Sequence, residues 1–163
     1  MLLLLVVAVL LIRDSGGERD ADTPLERSAK LEAEVLRVVD GDTIEVLVGG
    51  QEEHVRYIGV DTPESVTPGE PVECFGRRAG TLNERLVGGR RVTLRFDRER
   101  RDPYGRLLAY VYTGERMVNA ELVRRGYART LTIAPNDSRA ALLARLERDA
   151  GRAGRGLWGR CDA

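Results

Sequence analysis

The chain is poor in the residues that build zinc modules and disulfide scaffolds. Its 163 residues include only two cysteines and one histidine, His54. Two cysteines are too few for a cysteine-rich zinc module or a multi-disulfide framework, and one histidine argues against histidine-based zinc chemistry. The sequence also lacks low-complexity runs and mixes both signs of charge, which excludes a disordered tail protein and a fibrous protein. The length suits one globular domain with its own core.

Acidic and basic residues balance over the whole chain but not along it. There are 26 basic and 26 acidic residues, and every basic residue except Lys30 is an arginine. The acidic excess lies in residues 1–34, so residues 35–163 carry 22 basic and 19 acidic side chains, a net charge of +3. This positive charge permits a polyanionic ligand without requiring one.

The N-terminus carries an unbroken apolar run at residues 2–12, followed at once by Arg13 and Asp14. The run is shorter than the roughly 20 residues of a membrane-spanning helix and fits the apolar region of a secretory signal. No basic residue precedes it and no clear cleavage site follows, so a short membrane anchor is the open alternative. We therefore interpret residues 1–12 as a signal or anchor, 13–32 as a polar linker and 33–160 as the folded domain. The protein is predicted to be exported, either secreted or tethered with its domain outside the cytoplasm.

Five short segments with β-branched residues and flanking turn signals predict five strands, at residues 35–39, 44–48, 55–60, 91–96 and 107–112. Helical spacing predicts three helices, at 75–87, around 118–123 and around 141–149. Gly126 is placed to end the second helix, and Asn136 or Asp137 is the predicted N-cap of the third. The order of elements predicts an α+β domain, a small antiparallel five-stranded barrel with three α-helices.

Two short segments concentrate oxygen ligands. Asp40 and Asp42 flank a glycine at a predicted turn, and Asp61, Thr62 and Glu64 follow an apolar strand. A proline after Thr62 favours an extended backbone there, which can direct two carboxylates and a carbonyl into one pocket. Such donors suit a hard cation such as Ca²⁺. From spacing alone, the alternative is that each segment is only a turn.

Two arginines lie close to these carboxylates in the predicted fold. Arg56 is on the strand that leads into Asp61, and Arg106 follows a turn just before another strand. A guanidinium binds phosphate through paired hydrogen bonds and stays charged at any working pH. The two arginines could therefore flank a phosphate group. In a chain this rich in arginine, the alternative for either one is a solvated surface position.

Together these segments resemble the staphylococcal nuclease (thermonuclease) family over roughly residues 33–159. The stretches that carry the resemblance are VVDGDTIEV (38–46), VRYIGVDTPE (55–64), DPYGRLLAYVY (102–112), MVNAELVRRGYA (117–128) and PN (135–136). Their order and separations match as well. The resemblance implies an OB-fold barrel with three helices and a Ca²⁺-dependent phosphodiesterase site on its face.

The resemblance also implies a role for each site residue. The metal ligands fall on Asp42, Asp61 and Thr62, the last through its carbonyl. Glu64 takes the position of the general base, which either deprotonates or orients the attacking water. The remaining roles, phosphate binding by two arginines and a phosphate-contacting tyrosine, fall on Arg56, Arg106 and Tyr104. The implied reaction is endonucleolytic cleavage of the 5′-O–P bond in DNA and RNA, leaving 3′-phosphates.

The sequence departs from the family pattern just before the Pro-Asn segment. Family members often carry tyrosines there that line the nucleotide pocket, whereas this chain has aliphatic and small residues at 131–134. Base stacking on an aromatic ring contributes about 1–3 kcal/mol where it occurs. Substrate affinity or base preference is therefore expected to differ.

The two cysteines predict one disulfide, Cys74–Cys161, because paired cysteines are usual in exported chains; free buried thiols are the alternative. Nothing in the sequence indicates an obligate partner, so we expect a monomer that acts on nucleic acid. Two other functions stay open: a non-catalytic OB-fold module that binds nucleic acid or protein, and a structural domain stabilised by Ca²⁺. Only the nuclease requires the carboxylates and both arginines together.

Overall fold

The computed structural model describes residues 29–65 and 72–161. The strands are β1 (Lys30–Val38), β2 (Thr43–Val48), β3 (Gln51–Tyr57), β4 (Gly59–Asp61), β5 (Arg91–Arg95), β6 (Leu107–Thr113), β7 (Arg116–Met117) and β8 (Arg129–Leu131). The helices are α1 (Gly76–Val87), α2 (Val118–Arg124), α3 (Ala140–Arg152) and the single turn α4 (Leu157–Arg160). The apolar segment 1–12 and most of the interpreted linker lie outside the described residues. None of the described helices has the length and apolarity needed to cross a membrane.

Strands β1, β2, β3, β5 and β6 close into a five-stranded barrel, which confirms the predicted α+β fold. Strand β2 shows why the pattern was readable, since Ile44, Val46 and Val48 alternate along it and are almost completely buried. Antiparallel pairing joins the barrel strands except at the closing seam, where β3 runs parallel to β6. The predicted antiparallel arrangement therefore holds for every barrel pairing except this one. The long crossover from β3 to β6, which contains α1 and β5, allows the parallel pairing.

The predicted strand at 55–60 divides into two. Strand β3 ends at Tyr57, and β4 leaves the barrel to pair with β8 in a separate two-stranded sheet. The break is at Gly59, whose φ of 78° is strained for other residues and easy for glycine. Beyond this break, Asp61 lies opposite Arg129 in the pairing of β4 with β8.

Two boundaries differ from those predicted. Strand β1 begins at Lys30, ahead of the predicted first strand at 35–39, because its first residues pair with β5 and Leu31 packs against the core. Helix α3 begins after Arg139, so neither Asn136 nor Asp137 caps it through its side chain. The amide of Asn136 instead exchanges hydrogen bonds with the backbone of Glu99, at 2.8 Å in both directions. The predicted N-cap was wrong because a loop contact distant in sequence uses that side chain.

The C-terminal segment is tied to the start of α1. Cys74 and Cys161 form a disulfide with their Cα atoms 5.8 Å apart, as predicted. His54 is exposed on β3, where its Nε2 lies 3.2 Å from a Glu45 carboxylate oxygen. It does not face the carboxylate-rich turns.

Candidate active site

The predicted site residues converge on one polar cleft of about 130 Å³ at the ends of β3 and β4. It is lined by Asp40, Asp42, Thr43, Arg56, Asp61, Thr62, Pro63, Glu64 and Arg106. Six of the seven predicted site residues are therefore neighbours here, although they come from segments far apart in sequence. Tyr104 lies outside the cleft, in the wall of an adjoining groove.

Asp42 is the buried carboxylate of the cleft, with 4% of its surface exposed. The turn before it is fixed by its own N–H, which donates to Asp40 Oδ1 at 2.9 Å. Gly41 is required in this turn because a Cβ there would lie 2.7 Å from both the Thr62 and Ala79 side chains. Across the cleft, Asp42 Oδ2 accepts hydrogen bonds from the Thr62 N–H at 2.8 Å and hydroxyl at 3.0 Å. The turn between β1 and β2 is thereby joined to the end of β4.

Helix α1 supports the same turn from behind. The buried Asn83 donates from Nδ2 to the Asp40 carbonyl at 2.9 Å and accepts from the Tyr57 hydroxyl at 2.9 Å. Because Asn83 has no exposed surface, these bonds replace ones it would otherwise make with water. The position of the turn that carries Asp40 and Asp42 thus depends on how α1 packs against the barrel.

Arg56 joins two carboxylates of the cleft. One terminal nitrogen lies 2.7 Å from Asp42 Oδ2, and the other donates to Asp61 Oδ1 at 2.8 Å. The guanidinium also donates to the Val60 carbonyl at 2.9 Å, which fixes its plane. The pKa of Asp42 is raised to about 6, chiefly by burial and also by the Asp40 charge, although Arg56 and the Thr62 hydrogen bonds act to lower it. Asp42 is therefore a desolvated carboxylate that depends on positive or hydrogen-bonding neighbours.

Glu64 is positioned by the residues that lead into α1. Its N–H donates to Glu73 Oε2 at 2.9 Å, and its carbonyl accepts the Glu73 N–H at 2.9 Å. Gly76 leaves room for this carbonyl, since a Cβ on Gly76 would lie 2.4 Å from it. The Glu64 carboxylate accepts the Ser65 N–H at 2.7 Å. The backbone of Glu64 is thus held from both sides at the cleft edge.

Arg106 is oriented by Asp102, a residue that sequence reasoning did not assign to the site. Asp102 Oδ2 accepts the Arg106 Nε–H at 2.7 Å, while Oδ1 accepts the backbone N–H groups of Tyr104 and Arg106, each at 3.0 Å. Gly105 in this turn has a φ of 83°. The Asp-Pro-x-Gly pattern was the available signal, because aspartate at such a position bonds the backbone two residues later. Tyr104 is 85% exposed, with its ring centroid 5.6 Å from the Arg106 guanidinium carbon.

The adjoining groove has a volume of about 320 Å³ and shares Arg56 and Arg106 with the cleft. Its far wall contains Leu131 and Ile133, which are 40% and 65% exposed. A group bound at the two arginines would therefore have an aliphatic surface beside it. The aliphatic segment singled out in the sequence lies in this wall.

The described residues contain no cluster of three or more histidine, cysteine, aspartate or glutamate side chains close enough to form a complete metal cage. Asp42 and Asp61 both contact Arg56, and Thr62 directly follows Asp61 in sequence. The cleft lining thus offers oxygen donors, namely four carboxylates and backbone carbonyls, and includes no histidine or cysteine.

The barrel, its helices and this cleft define a protein of the staphylococcal nuclease class. The family described as Staphylococcal nuclease homologue matches residues 54–160, and the chain belongs to this family. The match begins after Asp42, which the fold nevertheless places in the same cleft as the matched residues.

Named relatives extend the similarity to nearly the whole chain. The sequence is 38% identical to the thermonuclease of Staphylococcus intermedius over 163 residues, which covers 98% of this chain and 95% of the relative. It is 34% identical to the thermonuclease of Staphylococcus hyicus, over 95% of this chain and 90% of the relative. Endonuclease YncB of Bacillus subtilis (strain 168) is 43% identical over 115 residues, which covers 69% of this chain and 54% of that protein.

Proposed function

We propose that this protein is a Ca²⁺-dependent endonuclease that hydrolyses DNA and RNA at the 5′-O–P bond and leaves 3′-phosphates. That it is a nuclease follows from its family and from its similarity to thermonucleases and an endonuclease over most of its length. The observation that carries the proposal is the cleft itself. It brings together the carboxylates, the carbonyl-bearing Thr62 and both arginines that the reaction requires.

The donor set fits Ca²⁺. The carboxylates of Asp42 and Asp61 and the carbonyl of Thr62 would hold the ion, since Ca²⁺ prefers oxygen ligands of this kind. The raised pKa of Asp42, about 6, reflects a buried carboxylate that a cation would stabilise. When bound, the ion supplies positive charge that stabilises the growing negative charge on the phosphate oxygens.

The chain's own residues account for the rest of the reaction. Arg56 and Arg106 bind the non-bridging phosphate oxygens and hold the diester in position. Glu64 accepts a proton from the attacking water or orients it, while the water oxygen forms a bond to phosphorus. The bond from phosphorus to the 5′ oxygen breaks on the opposite side, and this oxygen takes a proton from solvent. The products are a 3′-phosphate and a free 5′-hydroxyl.

The test compares the purified full-length chain with Glu64→Gln on single-stranded DNA, with Ca²⁺ and with excess chelator. We expect cleavage only with Ca²⁺ and a loss of about 10²–10⁴-fold in turnover in the variant, the range for removing a positioned acid–base group. Oligonucleotide binding should persist in the variant. Glu115→Gln is the matched control, since Glu115 is exposed in a turn away from the cleft.

Each contrary outcome identifies another function. DNA binding in chelator with no cleavage would indicate a non-catalytic OB-fold module, whose affinity would fall with salt in proportion to its phosphate contacts. A rise in melting temperature with Ca²⁺, with neither cleavage nor binding, would indicate a structural Ca²⁺ domain.

We also propose that the protein is exported, as a secreted or N-terminally tethered monomer. The Cys74–Cys161 disulfide supports export, because such bonds persist mainly in oxidising compartments. A monomer is favoured because one chain already supplies all the cleft groups. Cell fractionation with the full-length chain, and sedimentation of the purified protein, test these two points. A reduced protein in the cytoplasm would contradict export, and a stable dimer would contradict the monomer.

A further inference from the structure

A second basic depression lies on the side of the molecule formed by α1 and the C-terminal segment. It has a volume of about 740 Å³ and adjoins a smaller one of about 570 Å³. Six arginines line the two depressions, namely Arg77, Arg78, Arg85, Arg125, Arg155 and Arg160. We call this surface the arginine groove. Three of its arginines come from α1 and face three from the end of α2 and the C-terminal segment.

The positive charge of the arginine groove is largely uncompensated. All six arginines are exposed. Of these six, Arg125 alone forms a salt bridge with a described residue, a glutamate that it shares with Arg124. One described acidic residue, Glu73, lines the groove, so six positive side chains surround one negative one. Like charges gathered without partners repel one another. An anionic ligand would relieve that repulsion.

The spacing of the groove suits a phosphate backbone. Arg78, Thr81 and Arg85 lie on one face of α1 at intervals of three and four residues, so Arg78 and Arg85 are about 10 Å apart along the axis. Stacked nucleotides advance about 3.4 Å per phosphate along one strand, so this rim spans roughly three phosphates. The lining between the rims includes Phe75 and Tyr127, whose rings meet edge to face at 5.2 Å.

The arginine groove begins beside the cleft of the candidate active site. Glu64 exchanges backbone and side-chain bonds with Glu73, which lines the groove, and the first residue of α1 packs on the Glu64 carbonyl. Arg77 and Arg78 follow directly in the first turn of that helix. A strand that leaves the cleft past Glu64 therefore meets these arginines next.

We propose that the arginine groove binds the phosphate backbone of the nucleic-acid substrate beyond the cleaved bond. This inference rests on the proposed nuclease function and assigns a second contact surface to the same substrate. A concave groove with arginines on both rims surrounds a single strand, whereas a flat anionic membrane would reach only the rims. The groove thus makes the enzyme favour long substrates over short ones.

The test replaces Arg78, Arg85 and Arg160 together with glutamine. The matched control replaces Arg116, Arg145 and Arg148 with glutamine, which removes the same charge. These three arginines are exposed and line neither the cleft nor the groove. KM and kcat are measured on a dinucleotide and on a single strand of about 30 nucleotides, which is long enough to reach the groove. We expect the groove variant to raise KM on the long strand about ten times more than on the dinucleotide, with a smaller change in kcat.

A binding measurement separates this inference from the proposed function. In a Glu64→Gln background with chelator, fluorescence anisotropy of the long strand gives the dependence of affinity on salt. Losing three single-strand phosphate contacts should reduce the slope by about 2. Equal salt-dependence slopes and equal KM ratios for the groove and control variants would overturn the inference. A groove variant that loses binding to phosphatidylserine vesicles, but not to the long strand, would overturn it too. If wild type cleaves nothing but the slopes still differ, the nuclease assignment fails and the groove remains a nucleic-acid surface.

Discussion

Both arginines of the cleft are held by carboxylates of the protein itself. Arg56 spans Asp42 and Asp61, and the Nε of Arg106 is fixed by Asp102. A guanidinium held in this way loses less side-chain freedom when a phosphate binds. The carboxylates that hold the two arginines differ in their other roles. The partners of Arg56 are the proposed metal ligands, whereas the proposed role of Asp102 is only to position Arg106 and its turn.

Asp102 is therefore the residue whose substitution isolates positioning from binding. In Asp102→Asn the amide oxygen can still accept the backbone N–H groups of Tyr104 and Arg106, but the amide nitrogen cannot accept the Arg106 Nε–H. We expect kcat to fall by about 10- to 100-fold, the range for a misplaced catalytic group. Thermal stability should change little. Steady-state kinetics on single-stranded DNA provides the measurement.

A double-mutant cycle decides whether Asp102 acts through Arg106. In an Arg106→Ala background, Asp102→Asn should cause no further loss of kcat, because the interaction it breaks is already gone. Additive losses would show that Asp102 acts by another route. Asp137→Asn is the control, since Asp137 pairs at 3.7 Å with Arg98, outside the cleft.

The residues that line the cleft stand out in the sequence more clearly than the residues that hold them in place. Asp42, Asp61, Glu64 and the two arginines stand in short motifs with characteristic neighbours. Asn83 supports Asp40 from 43 positions away, through a side chain that gives no local signal. Such contacts depend on how a helix packs on the barrel, which no sequence window contains.

At the scale of elements, alternation of apolar residues predicted the barrel strands, and periodicity predicted α1, α2 and α3. The short strands β7 and β8 were not predicted, and β4 was not separated from β3, because two or three residues carry no period. The single predicted strand at 55–60 divides because the positive φ of Gly59 interrupts the extended backbone. The sequence does not reveal this interruption, since buried apolar residues continue on both sides of it, at Ile58 and Val60. The parallel pairing of β3 with β6 was not predicted either, because strand direction depends on the path of the chain and no local sequence pattern indicates it.

The end of β5 is joined to the start of α3 by Asp97. Its Oδ2 accepts the Tyr110 hydroxyl at 3.1 Å and the Ser138 N–H at 3.0 Å. Partial burial acts to raise the pKa of Asp97, but the hydrogen bonds from Ser138 and Tyr110 outweigh it and leave the pKa below its ordinary value of 3.8. The charged form is therefore the one that stabilises the folded state.

This contact predicts a pH-dependent difference in stability between wild type and Asp97→Asn. Above the ordinary pKa of 3.8, wild type should be more stable, by up to about 1 kcal/mol, since an asparagine oxygen accepts the same bonds without the charge. The difference should disappear as the pH falls through the lowered folded pKa, where wild type also becomes neutral. Urea unfolding at pH 7 and near pH 3 measures it. A difference that is the same at both pH values would remove the charge from the explanation.

At the scale of the whole molecule, one covalent bond connects the end of the chain to the helix that supports the cleft. Cys74 lies two residues before Gly76, which packs on the Glu64 carbonyl, and Cys161 follows α4. The bond closes a loop of 87 positions, a length for which chain entropy predicts about 4–5 kcal/mol of stabilisation. That value is an upper bound, because a compact unfolded chain has less entropy to lose.

The double variant Cys74→Ser/Cys161→Ser should therefore unfold at lower urea, with a free energy of unfolding reduced by about 2–4 kcal/mol. Reductant should lower the stability of wild type by a similar amount and leave the variant unchanged, which separates the bond from the serine side chains. Because the bond lies next to the segment that holds Glu64, kcat should fall in the variant at temperatures where it is still folded. An unchanged kcat with lowered stability would mean that the barrel and Glu73 alone hold Glu64 in place, and that the disulfide serves only to resist unfolding.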